Sequence, residues 1–297
     1  MMSLPEAVTL ALREAGLDPA YVEDLIRATL EEDLDGGEDV TTAATVPAEQ
    51  RAVAVLAARE AGVLAGLPVA EAVFAAVDAG IELERHVADG AQVPAGTNML
   101  TVHGRTRALL LAERTALNLA CRLSGIATAT RAWVDALAGS RAEVRDTRKT
   151  TPLMRSLEKY AVRVGGGVNH RSSLAESALI KDNHIAAAGG ITAAFRAVRE
   201  SYPGLTVEVE VDDVAGAAEA VEAGADLVLL DNFTVDQVLE AVKTVDGRAR
   251  LEVSGGLTLG QAAAYAATGV DYLSTGALTH SVRALDLGLD VVAVEGR

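Results

Sequence analysis

The sequence predicts an α/β protein whose later part is a barrel of parallel strands, and three observations support this. After Gly139, short apolar runs end at VRD (144–146), LIKD (179–182), VEVEVDD (207–213), LVLLDN (227–232), LEVSGG (251–256) and DYLSTG (271–276), and Ala-rich stretches that read as helices separate the later ones. Polar residues close these runs at even intervals: Glu210, Asp231, Ser254 and Gly276 lie 21, 23 and 22 residues apart. The phrases AGADLVLLDN (223–232) and TGVDYLSTGA (268–277) also resemble each other. Apolar strands that each finish in a polar residue and are joined by helices form a parallel α/β barrel, with its chemistry at the C-terminal rim of the strands. A doubly wound open sheet is the alternative, but no G-x-G-x-x-G opens the first unit.

The elements before Gly139 read differently. Residues 1–30 have a helical pattern broken near Gly16-Leu17-Asp18-Pro19. The acidic stretch EEDLDGGEDVTT (31–42) turns at its Gly-Gly pair and lacks the spacing of a calcium loop. Alternation suggests strands at 51–58, 81–87 and 98–104, with a helix over 68–80 closed by Gly80. This first portion reads as an α+β domain with one exposed sheet. A long helical pattern then runs from Thr106 to Ala138, with an interruption expected at Ser124-Gly125. Leu110, Leu117 and Cys121 share one face of it, and Arg114 falls on the same stripe. An arginine there either reaches the rim or meets an anion, because an unpaired buried charge is costly.

Composition limits the function classes. Of 297 residues half are apolar, enough for a sizeable core, and the length suggests two domains or one with a large appendage. Aromatic residues make up 3% and the net charge is −16, which argues against nucleic acid and anionic membrane as partners. Cys121 is the only cysteine, and no apolar run approaches the ~18 residues that span a bilayer. With no basic start or unbroken apolar segment at the N-terminus, the expected location is cytoplasmic.

Against this acidic background, eight Lys and Arg face four Asp and Glu between Arg145 and His184, a local charge of +4. Three of the four lysines lie there (149, 159 and 181). Placed around a barrel mouth, Arg148, Lys149, His170, Arg171 and Lys181 form a cationic arc. Lys suits phosphate as a point charge and Arg suits bidentate carboxylate recognition, so the arc fits two anionic reactants, one phosphorylated and one carboxylated. Glu210 and Asp231, on neighbouring strands, read either as an acid/base couple or as oxygen ligands for Mg²⁺, and the adjoining phosphate site favours Mg²⁺. The turns Ser254-Gly255-Gly256 and Ser274-Thr275-Gly276 follow the last two strands, where barrels bind phosphate through backbone N–H groups. A Schiff-base lyase using Lys181 and a non-catalytic binding protein are the competing classes.

The motifs that carry these residues resemble a known family. EEDLDGGEDVTTAATVP (31–47), ERTALNLACRLSGIATAT (113–130), DTRKTTP (146–152), KYAVRVGGGVNHR (159–171), ALIKDNH (178–184), EVEV (208–211), LLDN (229–232), SGG (254–256) and GALTHS (276–281) together resemble nicotinate-nucleotide pyrophosphorylase (carboxylating), also called quinolinate phosphoribosyltransferase. DTRKT, GGGVNHR and IKDNH in this order are its most specific part; Cys121-Arg122 departs from the more usual polar pair without touching the site.

The resemblance implies an N-terminal α/β sandwich domain (1–114) followed by a C-terminal open, incomplete α/β barrel (115–279), with the tail from about 280 to 297 returning to the first domain. It implies transfer of phosphoribose from phosphoribosyl pyrophosphate (PRPP) to quinolinate, with Mg²⁺, giving nicotinate mononucleotide, pyrophosphate and CO₂ in de novo NAD biosynthesis. It implies a homodimer or higher even oligomer in which Arg114 acts across the interface. By position, Arg148, Arg171, Lys181 and Arg114 of the partner subunit would hold the quinolinate carboxylates, with Thr147 and His170 lining the pocket. Lys149 would meet pyrophosphate, and Glu210 and Asp231 would bind Mg²⁺ or ribose hydroxyls; these three are the expected catalytic residues. Ser254, Gly255, Gly256, Ser274, Thr275 and Gly276 would cradle the 5′-phosphate. The three glycines before His170 are expected to let the backbone run close beneath the acceptor.

Overall fold

The computed structural model describes residues 4–295, so residues 1–3 and 296–297, the ends of the expected first domain and tail, lie outside it. Its strands are β1 (Arg51–Ala58), β2 (Gly62–Val63), β3 (Glu82–Arg85), β4 (Gln92–Val93), β5 (Asn98–Arg105), β6 (Glu143–Arg145), β7 (Ala178–Ile180), β8 (Val207–Val211), β9 (Leu227–Asp231), β10 (Arg250–Ser254), β11 (Tyr272–Ser274) and β12 (Leu287–Val294). The chain forms two compact units: residues up to 128 with 156–165 and from 282 onward, and residues 129–155 with 166–281.

The first unit holds an antiparallel sheet in the order β12-β1-β5-β3 and a small pair, β2 with β4. The strand β1 lies between β5 and β12 and is buried along its second half, as a central strand of apolar residues must be. The break in the N-terminal helical pattern is where the sequence places it: helices Glu6–Glu14 and Pro19–Leu34 flank it, and Asp18 caps the second by accepting from Ala20 N–H at 3.0 Å. The helix Leu67–Val77 is buried from Leu67 to Ala75, and Asp89 accepts from the N–H groups of Gly66 (2.6 Å) and Leu67 (3.1 Å) at its start. The strand β12 had no counterpart in the residue pattern; it pairs with β1 over Ala52 to Ala58.

A single helix runs from Thr106 to Ala136 without the interruption expected at Ser124-Gly125. Packing explains both residues. Ser124 Oγ accepts from Ala65 N–H at 3.0 Å, and Thr128 Oγ1 accepts from Val63 N–H at 2.9 Å. A Cβ on Gly125 would lie 3.0 Å from Ala284 Cα, so this glycine serves close backbone approach and not helix termination. These contacts explain why the first unit runs on to residue 128, past the boundary expected at 114. The Leu110–Arg114–Leu117–Cys121 stripe lies at the edge of the helix's buried face: Leu117 is buried, Leu110 and Cys121 are half-buried, and Arg114 is exposed. The fully buried apolar positions are instead Leu109, Ala112, Ala116, Leu123, Ile126 and Ala127.

The second unit contains all six strands read from the sequence, in one parallel sheet of order β6-β11-β10-β9-β8-β7. Helices Asp182–Ala188, Ile191–Ser201, Val214–Ala223 and Val235–Val245 supply most of the crossovers. The barrel is open, as expected, because β6 and β7 do not pair; beside β6 lies Val168, in an isolated parallel bridge with Arg145. Among the described residues no helix is long and apolar enough to cross a membrane.

Replacing Gly125 by Ala sets two effects against each other. Helix propensity gains about 1 kcal/mol, while overpacking against backbone costs about 1–3 kcal/mol. The expected net loss is up to about 2 kcal/mol, read as a lower Tm in thermal unfolding; a raised Tm would show that residues 283–284 move aside freely.

Candidate active site

The C-terminal ends of the parallel strands converge on a cleft of about 470 Å³ within the second unit. One wall is built on Asp146, which follows β6 and is fully buried. Its carboxylate accepts from His170 N–H at 2.7 Å and from Asn169 Nδ2 at 2.6 Å, tying the DTRK turn to the NHR turn. Thr147, Arg148, Lys149, His170 and Arg171 thereby line one cleft. Arg148 Nε is buried there without a hydrogen-bond partner, which in a native interior calls for an acceptor. Arg171 donates from Nη1 to Ser177 O at 2.7 Å. Burial, and then the charge of Arg148, hold the Arg171 guanidinium below its usual range, so these two cations face the same space.

The opposite wall comes from successive strand ends: Glu210 on β8, Asp231 on β9, Ser254 and Gly255 at β10, and Ser274 on β11. Burial, and then the negative charge of Glu210, raise the Asp231 pKa, so the two carboxylates are near neighbours. Lys181, expected beside the acceptor carboxylates, lines the cleft with its ammonium paired to Glu210 Oε2. Glu210 and Asp231 also line an adjoining cleft of about 590 Å³ that carries Asp182, Asp212, Asp213 and Glu219.

The turn after β9 is left-handed at Asn232 (φ 58). This residue donates its N–H to Ser254 O at 2.9 Å and its Nδ2 to Asp231 Oδ2 at 2.7 Å. Gly255 sits at φ 94, and a Cβ there would lie 2.8 Å from Asn232 N, so only glycine fits.

Four expected residues fall outside the cleft lining. Gly256 is exposed just beyond it, and Thr275 is buried with its N–H on Arg145 O at 3.0 Å. Gly276 lies behind Lys149: a Cβ on it would be 2.9 Å from Lys149 Cδ and 2.8 Å from His280 Cδ2, so the glycine makes room for the lysine stem. Arg114 belongs to the first unit. Nor do the three glycines line the cleft; Gly165 ends the helix Arg155–Gly165 and Gly166 (φ 95) turns the chain out of it. Lys159, counted in the basic window, is buried in the first unit.

Around His170 lies a buried cluster of carboxyl groups that the sequence reading missed; Glu252 lines the cleft and Glu208 does not. His170 Nε2 is 3.0 Å from Glu208 Oε2 and 3.9 Å from Glu252 Oε1, and Arg145 Nη1 is 2.5 Å from Glu252 Oε2. Glu208 and Glu252 are buried, each with an Oε1 that has no partner. The guanidinium of Arg145 already supplies a cation to this cluster. Burial pushes the Glu208 carboxyl up to about 7, opposed by Arg145 and then Arg171. The Glu252 carboxyl is raised by burial and by Glu208.

Comparison with known proteins decides the lineage. Residues 39–124 match the family model described as quinolinate phosphoribosyl transferase, N-terminal domain, and residues 126–290 match that of its C-terminal domain. The chain belongs to the quinolinate phosphoribosyl transferase family. A Mycobacterium leprae relative named nicotinate-nucleotide pyrophosphorylase (carboxylating) is 54% identical over 273 residues, covering 90% of this chain and 96% of that protein. A Nicotiana tabacum relative named quinolinate phosphoribosyltransferase (decarboxylating) 1b is 38% identical over 293 residues, covering 92% of this chain and 83% of that protein. The crystal structure of NadC from Streptococcus pyogenes superposes with a TM-score of 0.90 at 42% identity, covering 94% of this chain and 98% of that one. In this quinolinate phosphoribosyl transferase family member, the cleft residues lie within the C-terminal match and Arg114 within the N-terminal one.

The raised Glu208 carboxyl sets a pH dependence. Between about 4.5 and about 7 the folded chain retains a proton that the unfolded chain releases, so stability falls as pH rises through this window. Glu208→Gln removes that contribution, and urea midpoints measured across the window should decline less steeply than in the parent. An unchanged slope would assign the titration to another group.

Proposed function

We propose that this chain transfers phosphoribose from PRPP to quinolinate with decarboxylation, releasing nicotinate mononucleotide, pyrophosphate and CO₂ in de novo NAD biosynthesis. The observation that carries this reading is the pairing of Arg148, with its buried unpartnered Nε, and Arg171 in one cleft whose other wall is Glu210, Asp231 and the Ser254-Gly255 turn. At an effective dielectric of 20, like charges ~4 Å apart repel by roughly 4 kcal/mol. Two arginines in one half-buried space are therefore accounted for by a multiply charged anion, and a pyridine dicarboxylate has the charge and flatness to take both forks.

In this reading Arg148 and Arg171, with Arg114 of the partner subunit, hold the two carboxylates against the cleft wall formed by Thr147 and His170. Such clamping aligns the pyridine nitrogen with C1 of the ribose, and alignment supplies much of the rate. The nitrogen lone pair forms the new C–N bond as the C1–O bond to pyrophosphate breaks, and no protein nucleophile is required. Lys149 stabilises the charge gained by the leaving pyrophosphate, while Ser254, the N–H of Gly255 and Ser274, which line the cleft, receive the 5′-phosphate. Ribosylation makes the ring cationic, which stabilises the electron pair left at C2 when CO₂ departs.

Glu210 and Asp231 suit Mg²⁺: two crowded carboxylates offer hard oxygen donors beside a substrate rich in phosphate oxygens. Bound there, the ion would neutralise charge on pyrophosphate; before it binds, Lys181 offsets part of the Glu210 charge through their ion pair. The expected unit is a cytoplasmic homodimer, or an even multiple of one.

The deciding experiment is release of labelled CO₂ from carboxyl-labelled quinolinate, dependent on PRPP, with formation of a mononucleotide from nicotinate as the control. CO₂ release with quinolinate and no product from nicotinate is expected; the reverse pattern would sink the assignment. Shared sites have a separate consequence. Chains carrying Arg114→Ala and chains carrying Arg171→Ala, each inactive alone, should regain part of the activity when mixed, and a confirmed mixed dimer without activity would place Arg114 away from the cleft.

A further inference from the structure

The turn Asn169-His170-Arg171 is held by three side chains outside the cleft lining: Asp146, Arg145 and Glu208. Asp146 accepts from the His170 N–H and from the Asn169 side chain. Arg145 donates from Nε to Asn169 O at 3.4 Å while its Nη1 holds Glu252. The imidazole of His170 makes the remaining link. Its Nδ1 accepts from Arg171 N–H at 2.7 Å, which requires that nitrogen to carry no proton. The ring proton therefore sits on Nε2 and faces Glu208 Oε2 at 3.0 Å. Both ring nitrogens are committed inward, so His170 presents the cleft with a wall and not with a free donor.

We propose that Glu208 is a positioning residue for the acceptor, acting through the His170 ring on Arg171. Its side chain is 3% exposed and does not line the cleft, so it touches no substrate. What it contributes is an acceptor that fixes the ring's tautomer and orientation. Without it, the Nε2 proton loses its acceptor at 3.0 Å, the ring is drawn toward Glu252 Oε1, 3.9 Å away, and moving that proton to Nδ1 would set two N–H groups against each other at the Arg171 backbone. The Arg171 head is pinned separately by Ser177 O, so the histidine fixes where the base of that side chain stands. Supporting hydrogen bonds of this kind hold a binding group in its productive geometry, and losing one that orients a ligating histidine typically costs 10–100-fold. The proposal rests on the assignment of Arg171 to a quinolinate carboxylate.

The test compares Glu208→Ala with Glu208→Gln in the full chain, by calorimetric titration with quinolinate and separately with PRPP and Mg²⁺. The ¹⁵N shifts of His170 in the parent protein give the tautomer directly. Glu208→Ala should weaken quinolinate binding about tenfold or more with PRPP affinity unchanged. Glu208→Gln should recover most of that loss, because an amide oxygen can also accept from Nε2–H. The parent spectrum should show a protonated Nε2 and a bare Nδ1.

Quinolinate affinity retained in Glu208→Ala, a Gln variant no better than Ala, or parallel loss of both ligands would each overturn the proposal. So would a parent His170 protonated at Nδ1, a result that decides the matter even where the Ala variant does not fold. Arg171→Ala separates the two levels: undiminished quinolinate affinity in that variant overturns the role of Arg171, whereas its loss beside an unaffected Glu208→Ala overturns the positioning role alone.

Discussion

Arg148 and Arg171 share one half-buried cleft, where each raises the electrostatic cost of the other. Containing that repulsion shapes much of the second unit. Asp146 is buried directly behind the two turns that carry them and binds both turns together. Glu208 lies outside the cleft lining and Glu252 within it, both buried and joined by Arg145 and His170, so the cleft's positive charge is backed by buried carboxyl groups. Carboxylates in such surroundings are expensive to ionise, and their raised pKa values express that cost. The protein thus keeps a strained charge distribution whose natural relief is an anion in the cleft.

The parallel sheet makes this layering possible. Side chains two apart along a strand share a face, and register aligns neighbouring strands. Glu210, Leu229 and Glu252 are register partners across β8, β9 and β10, and Ser254 pairs with Asp231 one step nearer the rim. An open sheet leaves β6 and β7 unpaired with each other, and the chain after β6 fills the margin with the turns bearing Arg148 and Arg171.

Much of this was legible in the sequence because strand ends, Gly turns and charge windows are local signals. The six parallel strands and, in the cleft, Arg148, Lys149, His170, Arg171, Lys181, Glu210, Asp231, Ser254, Gly255 and Ser274 could be read that way. The buried layer could not be read by the same rule, since an inward-facing strand position is assumed to be apolar. Yet VEVEV held the clue: if Glu210 faces inward, so does Glu208, and Glu252 stands in the same relation to Ser254. Gly125 misled for a different reason. Intrinsic helix weakness was overruled by the backbone of Arg283 and Ala284, far along the chain, which no local window contains. The role expected of Gly165–Gly167 failed similarly, because a helix end and a ligand cradle ask the same freedom of a glycine.

The two walls of the cleft are made of different materials. On one side recognition is written in long side chains: guanidinium, ammonium and imidazole. On the other, beside the Glu210 and Asp231 carboxylates, Gly255 belongs to a main-chain turn packed on Asn232 so closely that a single added methyl has no room. Mutation can edit the side chains of either wall one letter at a time, but it can alter that turn only by rebuilding a loop. On the proposed assignment of the walls, a lineage on this scaffold is free to trade one aromatic acid for another while remaining bound to a sugar-phosphate donor.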